Sequence, residues 1–212
     1  MIQIYLMHTE LLQDPNLYQQ ALENCSMERR NRFESLRMED DKRRSLAASV
    51  LLDVALRERG LREKDAEYGY GAAGKPCIPA WKNVHFSLSH SGHLVICAVS
   101  EQEIGADIQI RRPFSAGVQQ RFFTEQEREH MDMLRLWTLK ESYGKLTGEG
   151  ISVMERTEIL PGYPVKLLRD GIRQNVFFYE KELEQTYYLA TCVQENPSFT
   201  VETNMVNRSD LI

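Results

Sequence analysis

Residues 137–145 of the 212-residue chain read Trp-Thr-Leu-Lys-Glu-Ser-Tyr-Gly-Lys, a stretch that lacks proline and has the apolar rhythm of a helix packed on a core. Trp137, Glu141 and Lys145 follow one another at intervals of four residues, so a carboxylate and an ammonium group share one face, one turn apart. In an isolated helix such a pair is an ordinary solvated surface pair. The rest of the chain gives the pair a different meaning.

The sequence on either side of this helix contains both extended and helical patterns, which predicts a fold of mixed helices and strands. Ile2, Ile4 and Leu6 predict a first strand, and a period of 3.6 residues predicts a helix over 40–59 that ends at Gly60. Residues 94–99 are nearly all apolar, as is typical of a central strand covered on both faces. Further strands are predicted at 84–88, 104–110, 165–168, 175–179 and 187–193, and further helices at 16–22, 124–133 and 134–147.

Between these elements the sequence predicts connecting segments. Glycine and proline mark 68–79 as a loop and 111–117 as a linker. Residues 89–92, Ser-His-Ser-Gly, are predicted to form a polar turn, and the polar stretch 195–212 is predicted to be peripheral. Thr124, followed three residues later by Glu127, has the form of a helix capping box.

Composition limits the classes of function. A content of 42% hydrophobic and 27% charged residues is ordinary for a folded soluble protein, and a net charge of -5 argues against a general nucleic-acid binder. Four scattered cysteines without a C-x-x-C pair suggest free thiols in a reducing cytoplasm. Neither a signal peptide nor a membrane-spanning segment is expected.

The predicted strand 104–110 carries chemistry on one of its faces. Its isoleucines and Ala106 point toward a core, whereas Gly105, Asp107 and Gln109 lie on the opposite face. A carboxylate and an amide two residues apart offer two oxygen donors to a hard cation such as Mg²⁺. An ordinary half-exposed strand has the same pattern, so the pattern alone leaves both interpretations open.

Two further segments have the chemistry of phosphate binding. Small hydroxyl residues around His90 can surround a phosphate, although an exposed polar turn has the same composition. A Ser–His–Asp triad is disfavoured, because the G-x-S-x-G elbow is missing. Gly74-Lys75-Pro76 resembles part of a phosphate loop, but the complete G-x-x-x-x-G-K-[ST] motif is absent.

Taken together, these segments form a recognisable order. Gly74-Lys75-Pro76 is followed by Phe86–Ser91, then Ile104–Gln109, then Trp137–Lys145, and this series resembles the Sfp-type 4'-phosphopantetheinyl transferases. The likeness runs from the basic helix start at Arg43 to Gly150. It implies a pseudo-dimer of two similar α/β halves, 1–103 and 104–212, each a mainly antiparallel sheet packed against a long helix. The resemblance further implies a monomer whose active site lies in the cleft between the halves.

The implied reaction moves 4'-phosphopantetheine from coenzyme A to a serine of an acyl or peptidyl carrier protein and releases adenosine 3',5'-bisphosphate. Mg²⁺, or Mn²⁺ in its place, is the implied cofactor. On the matching positions Asp107 and Glu141 would ligate the metal, and Glu141 would also deprotonate the serine, directly or through water. Phosphates would be held by Ser89, His90 and Lys145, and the adenine by Gly74, Lys75 and Pro76. The 3'-phosphate would be held by Arg43, with a contribution from Arg44 or from the preceding arginines Arg29, Arg30, Arg32 and Arg37.

Gln109 departs from the family pattern, which usually places a second acid at this position. An amide oxygen can still coordinate a metal, but it brings no charge. The substitution predicts weaker Mg²⁺ binding, or a Gln109 that binds a metal-held water instead.

The implied partner is a small acidic carrier protein of fatty-acid, polyketide or nonribosomal-peptide synthesis. Arg111, Arg112, Phe114 and Phe122 place basic and aromatic side chains in one segment, which suits such a partner. Burial of the phenylalanines in the core is the competing interpretation.

Two other functions stay open at this point. A non-catalytic module that binds coenzyme A or a carrier would explain Gln109, although it would not need Asp107, Glu141 and Lys145. A metal-dependent nucleotide phosphohydrolase would use the same acids to activate water.

Overall fold

The structure is a computed structural model that describes residues 1–194 and 200–211. The strands are β1 (Ile2–His8), β2 (Gly69–Tyr70), β3 (Pro76–Cys77), β4 (His85–Ser91), β5 (Leu94–Ser100), β6 (Ile104–Ile110), β7 (Thr157–Leu160), β8 (Lys166–Arg169), β9 (Ile172–Arg173), β10 (Phe177–Leu183), β11 (Tyr187–Val193) and β12 (Val201–Met205). The α-helices are α1 (Pro15–Glu23), α2 (Met27–Ser35), α3 (Glu39–Arg57), α4 (Ala116–Phe122), α5 (Glu125–His130) and α6 (Met133–Thr147). The predicted mixed α+β fold with antiparallel sheets is confirmed.

Two sheets form the body of the molecule. The first has the strand order β12-β1-β5-β4, and the second has the order β10-β11-β6. Helix α3 packs on the outer face of the first sheet, and α6 packs on the outer face of the second. An apolar layer with side chains from both sheets, including Ile4, Ile96 and Ile108, lies between them. The small sheets β2-β3 and β7-β8-β9 lie outside this arrangement.

Strand β5 is central and covered on both faces, as its apolar sequence predicts. Val95, Cys97 and Val99 join the core under α3, whereas Ile96 and Ala98 join the layer between the sheets. Burial of both faces explains why the strand shows no polar alternation.

Side-chain hydrogen bonds join the two sheets along their β4 and β6 edges. The backbone N–H groups of Ala106, Ile108 and Ile110 donate to the hydroxyl groups of three serines of β4 over 2.9, 3.4 and 3.0 Å. These acceptors are Ser87, Ser89 and Ser91. The prediction of a turn at 89–92 is therefore wrong for its first three residues, because alternate serines extend β4 and the chain turns only at Gly92.

Helix α6 lies directly against β6 because Gly105 has no side chain. A Cβ atom at this position would lie 1.9 Å from the carbonyl oxygen of Ser142. The Asp132 side chain accepts a hydrogen bond from the Arg135 N–H at the start of α6, and Gly148, with a φ of 71°, ends the helix as predicted. The predicted capping box of Thr124 and Glu127 is confirmed at α5.

The connections differ from the prediction at two places. The segment predicted as a linker over 111–117 leads into α4, which begins at Ala116 with Ser115 as its cap. The C-terminal segment is not wholly peripheral, since β12 pairs in parallel with β1 and so belongs to the first sheet. Residues 195–199 and 212 of that prediction lie outside the described residues.

Candidate active site

Asp107 lies fully buried where β6 meets β4 and α6. Its Oδ1 accepts hydrogen bonds from the Ser89 hydroxyl at 2.6 Å and from the Lys145 ammonium at 2.7 Å. The Lys145 ammonium also donates to the Ser89 hydroxyl over 2.8 Å. Three residues that the sequence placed on three separate elements thus share one hydrogen-bonded cluster.

Glu141 faces this cluster from the neighbouring turn of α6. Its Oε2 accepts from the Trp137 indole N–H at 2.6 Å and from the Gln109 amide at 3.1 Å. The same Gln109 Nε2 donates to Asp107 Oδ2 at 3.1 Å. Burial and the charge of Asp107 raise the pKa of Glu141 to about 7, against the opposing effects of Lys145 and Trp137.

The two carboxylates open into a cleft of about 470 Å³. Gly74 and Pro76 lie on one side of it, and α2 and α3 lie on another. A second cavity of about 230 Å³ also includes Glu141 and Lys145 and extends toward Gly144 and Ile151. The acid–lysine cluster therefore lies at the junction of two spaces that a long, flexible substrate can occupy.

The α2 and α3 side of the cleft forms a basic wall that includes Arg29 and Arg32, two of the arginines that the resemblance offered as a contribution to the 3'-phosphate site. Arg29 is buried, and both its Nη2 and the Ser45 hydroxyl lack a hydrogen-bond partner among the described residues. Both residues line the cleft, together with Arg32 and His90. Buried unpaired donors are costly, so this wall is suited to an anion. The arginine run at the start of α2 was the available signal.

Arg43 and Arg44, which the resemblance assigned to the 3'-phosphate, are placed differently. Arg43 donates to Asp40 at 2.9 Å, and Arg44 pairs with Asp41 and donates to the Gly92 carbonyl at 3.2 Å. Their guanidinium groups are thus held by acids of the first turn of α3.

The remaining predicted phosphate and adenine residues lie around the same cleft, with one exception. His90 lies at its edge, and partial desolvation together with the cations Arg44 and Lys145 lowers the pKa of its imidazole. Pro76 and Gly74 line the cleft, but the Lys75 ammonium binds Glu103 at 2.9 Å and the Ile104 carbonyl at 3.0 Å. Lys75 therefore fixes its loop to the start of β6.

The predicted carrier-binding segment divides into exposed and packed residues. Arg111 and Arg112 are exposed, and Arg111 forms an ion pair with Asp132 at 2.8 Å. Phe114 is half-buried, and Phe122 is only 6% exposed, with its ring centroid 5.4 Å from that of Trp137. Phe122 therefore belongs to the core behind the site, as the competing interpretation of this segment expected.

The donor set fits a magnesium ion. Mg²⁺ is usually held by one or two carboxylates and takes its other ligands from phosphates and water. Asp107 and Glu141 supply two carboxylates beside the cleft, and no larger cluster of acidic, histidine or cysteine ligands occurs in the described ranges.

The described helices include none that is long and apolar enough to cross a membrane.

The chain is similar in sequence to a family of known proteins. A sequence model of the 4'-phosphopantetheinyl transferase superfamily matches residues 103–192. The chain is 32% identical over 207 residues to 4'-phosphopantetheinyl transferase ffp of Bacillus subtilis, a match that covers 88% of this chain and 89% of the relative. It is 31% identical over 208 residues to 4'-phosphopantetheinyl transferase Sfp of B. subtilis strain 168, with the same coverage.

A cyanobacterial relative, 4'-phosphopantetheinyl transferase HetI of Nostoc sp., is 32% identical over 165 residues, or 69% of each chain. The chain belongs to the 4'-phosphopantetheinyl transferase family, and it is an enzyme of this class.

Proposed function

We propose that the chain transfers 4'-phosphopantetheine from coenzyme A to a serine hydroxyl of an acyl or peptidyl carrier protein in an Mg²⁺-dependent reaction. The observation that carries the proposal is the cluster of Asp107, Glu141 and Lys145 at the base of a cleft with a basic wall. Phosphoryl transfer requires mainly positioning and charge neutralisation, and this cluster can supply both without a covalent nucleophile. The length of 212 residues and the two-half layout favour a monomer, and four cysteines without a C-x-x-C pair favour a reducing cytoplasm.

In this proposal the serine oxygen forms a bond to the phosphorus that carries pantetheine, and the bond from that phosphorus to the bridging oxygen breaks. Adenosine 3',5'-bisphosphate leaves with the electron pair. Asp107 and Glu141 would hold Mg²⁺, which when bound would neutralise charge on the pyrophosphate. Lys145 donates a hydrogen bond to the phosphates, and His90 does so from the edge of the cleft. Ser89, whose single hydroxyl hydrogen is donated to Asp107, accepts from the Lys145 ammonium and so positions it toward the phosphates.

Glu141 is the candidate acceptor for the serine proton, directly or through water. A pKa of about 7 suits a general base at neutral pH, whereas a bound cation lowers the pKa of a carboxylate beside it. A water relay therefore reconciles a metal-holding role of Glu141 with its role in proton transfer.

The basic wall is assigned to the 3'-phosphate of coenzyme A. Arg29 and Ser45 line the cleft and each has a buried donor without a partner among the described residues, and Arg32 and His90 line the same cleft. Arg43 and Arg44 stay candidates only if their ion pairs with Asp40 and Asp41 open, so we place them at the edge of this subsite.

The decisive test is the mass of an apo carrier protein after incubation with coenzyme A, Mg²⁺ and the enzyme. Wild type should add phosphopantetheine, and Glu141→Gln should abolish the mass gain at every pH. The exposed Glu125→Gln variant is the matched control and should act as wild type. No mass gain with any of several carriers would favour a binding module, and coenzyme A breakdown without a carrier would favour a phosphohydrolase.

The carrier is proposed to dock beside Arg111 and Arg112, with Phe114 as the nearest aromatic contact, whereas the buried Phe122 supports this surface from below. Arg111→Glu combined with Arg112→Glu should raise the apparent KM for an acidic carrier and leave coenzyme A affinity unchanged, because both side chains lie outside the cleft lining. Equal changes in both quantities would contradict this assignment.

A further inference from the structure

Gln109 is the residue through which the two acids of the site are joined. Its Nε2 donates to Asp107 Oδ2 and to Glu141 Oε2, each at 3.1 Å. Asp107 lies on the same strand and Glu141 on α6, so one carboxamide connects both sides of the site. This contact differs from what a metal ligand would provide, because it presents hydrogens rather than an oxygen.

The orientation of the carboxamide follows from its surroundings. Both neighbours of Nε2 are carboxylate oxygens, which can only accept while they are ionised. On the other side, the Ser91 hydroxyl lies 3.5 Å from Gln109 Oε1 and can donate toward it. Turning the amide over would place its oxygen against two carboxylates, which is repulsive unless a cation lies between them.

On Asp107, the oxygen that remains for a cation is the one to which Gln109 now donates. Asp107 Oδ1 already accepts from Ser89 and from the positively charged Lys145. Asp107 Oδ2 is therefore the oxygen with room for a metal ion, and its hydrogen bond comes from Gln109. A cation held by both carboxylates would therefore compete with the Gln109 amide for Asp107.

Resting on the proposed function, we propose that the Gln109 carboxamide occupies the bridging position between Asp107 and Glu141 in the cation-free enzyme, and that Mg²⁺ binds by displacing it. Gln109 is then a positioning residue rather than a metal ligand. It keeps two like charges together between reaction cycles, because a neutral donor offsets part of their repulsion. The cost is a lower affinity for the cation, since strong hydrogen bonds to charged acceptors must first be broken.

Trp137 makes this proposal measurable without the transfer reaction. Its indole N–H donates to Glu141 Oε2 at 2.6 Å, and the chain contains two tryptophans. In a Trp81→Phe background Trp137 is therefore the sole emitting indole. Paramagnetic Mn²⁺ bound at Glu141 should quench its fluorescence, so a titration at alkaline pH gives the dissociation constant for Mn²⁺.

The discriminating variant is Gln109→Met, which keeps the length of the side chain and removes both its donor and its acceptor. Displacement predicts that this variant binds Mn²⁺ about tenfold more tightly than the Trp81→Phe parent, and that the Tm of its cation-free form is lower. Coordination through the amide oxygen predicts weaker binding. Unchanged or weaker Mn²⁺ binding would overturn the proposal.

Three further proteins complete the experiment. Gln126→Met changes an exposed glutamine to methionine and should leave Mn²⁺ affinity unchanged. Gln109→Glu adds a third carboxylate and should bind Mn²⁺ more tightly under either interpretation, which establishes that position 109 faces the ion. If Gln109→Met does not fold, Gln109→Asn replaces it, because its shorter side chain cannot bridge both acids and should bind Mn²⁺ more tightly for the same reason.

Failure of this inference is distinguishable from failure of the proposed function. If the parent and Gln109→Glu both show saturable quenching while Gln109→Met binds more weakly, only displacement is wrong. If neither the parent nor Gln109→Glu binds Mn²⁺, the metal site of the proposed function is wrong, and displacement with it.

Discussion

Helix α6 carries two lysines, five residues apart, whose surroundings differ completely. Lys140 is fully buried and donates three hydrogen bonds, to the Phe122 carbonyl at 2.7 Å, to Glu127 at 2.8 Å and to the Thr157 carbonyl at 2.7 Å. The side chain of Lys145 is 24% exposed, and its ammonium binds Asp107 and the Ser89 hydroxyl beside the cleft.

The two lysines differ in how many N–H donors of the ammonium group are bound by acceptors within the protein. A lysine ammonium has three N–H donors. Lys140 uses all three to tie α4, α5 and β7 to α6, so it can stabilise the fold but cannot contact a substrate. Lys145 uses two, which leaves one donor and a partly exposed charge for a phosphate in the cleft.

The largest effect is expected from Lys140→Met. Removing the ammonium leaves Glu127, whose side chain is only 1% exposed, as a buried charge without a counter-ion, held only by the backbone N–H groups of Thr124 and Ile159. Loss of one partner of a buried ion pair costs about 3–5 kcal/mol of the free energy of unfolding. Urea denaturation measures this change, and the fraction that stays folded should keep its transfer rate. A loss below about 1 kcal/mol would mean that Lys140 contributes no more to stability than an exposed lysine, and the contrast between Lys140 and Lys145 would not hold.

Lys145→Met should act mainly on the reaction, lowering the rate of phosphopantetheine transfer by about 100-fold, as is usual when one charge-stabilising donor is removed. Arg135→Met is the matched control. Arg135 lies on the same helix, its side chain is 23% exposed, and it pairs with Glu180 at 2.7 Å. Both variants remove the cation of an acid and should lose stability in urea, Lys145→Met more because Asp107 is more deeply buried than Glu180, but only Lys145→Met should lose transfer. Equal transfer rates in Lys145→Met and Arg135→Met would show that the position of Lys145 beside the cleft does not matter for the reaction.

The smallest effect concerns the pH dependence of stability at this control pair. Burial works to raise the pKa of Glu180, but hydrogen bonds from Arg135 and Tyr188 outweigh it and hold the pKa below the ordinary 4.5. The unfolded chain therefore binds the proton first as pH falls, so this stabilisation is complete above 4.5 and is lost as pH falls through the lower folded value.

Glu180→Gln should flatten the acid limb of a plot of unfolding free energy against pH by less than about 1 kcal/mol. Urea denaturation at a series of acidic pH values measures this change. A steeper acid limb in the variant would contradict the sign of the shift.

The sequence predicted most of the elements that hold the site because their patterns are local. The alternation in 104–110 placed Asp107 and Gln109 on the face opposite Ile104 and Ile108, and the structure confirms that both isoleucines lie in the core. The spacing of four residues between Glu141 and Lys145 likewise required only a helix. The turn predicted at 89–92 was wrong because the partners of those serines lie on β6, and a local pattern does not contain them.

The arginines show the same limit. Arg43 and Arg44 pair with acids three residues earlier on α3, a spacing that the sequence already contains, whereas only the packing of α2 places the Arg29 side chain beside the cleft. Asp40 and Asp41 hold Arg43 and Arg44, whereas Arg29 is buried with an unpaired Nη2 beside the cleft. The positive charge of these residues in the sequence does not distinguish the paired Arg43 and Arg44 from Arg29 beside the cleft.

By itself, the sequence determined the mixed fold, the doubly covered strand β5, the helix α6 and the acids that lie on β6 and α6, because each follows from a period of two or 3.6 residues. The tertiary structure alone decided which groups meet. It made Lys140 a buried structural ion and Lys145 a cleft residue, and it brought Gln109 between two carboxylates from different elements. The physical reason is that burial and hydrogen-bond partners depend on contacts between residues distant in the chain, which a local period does not record.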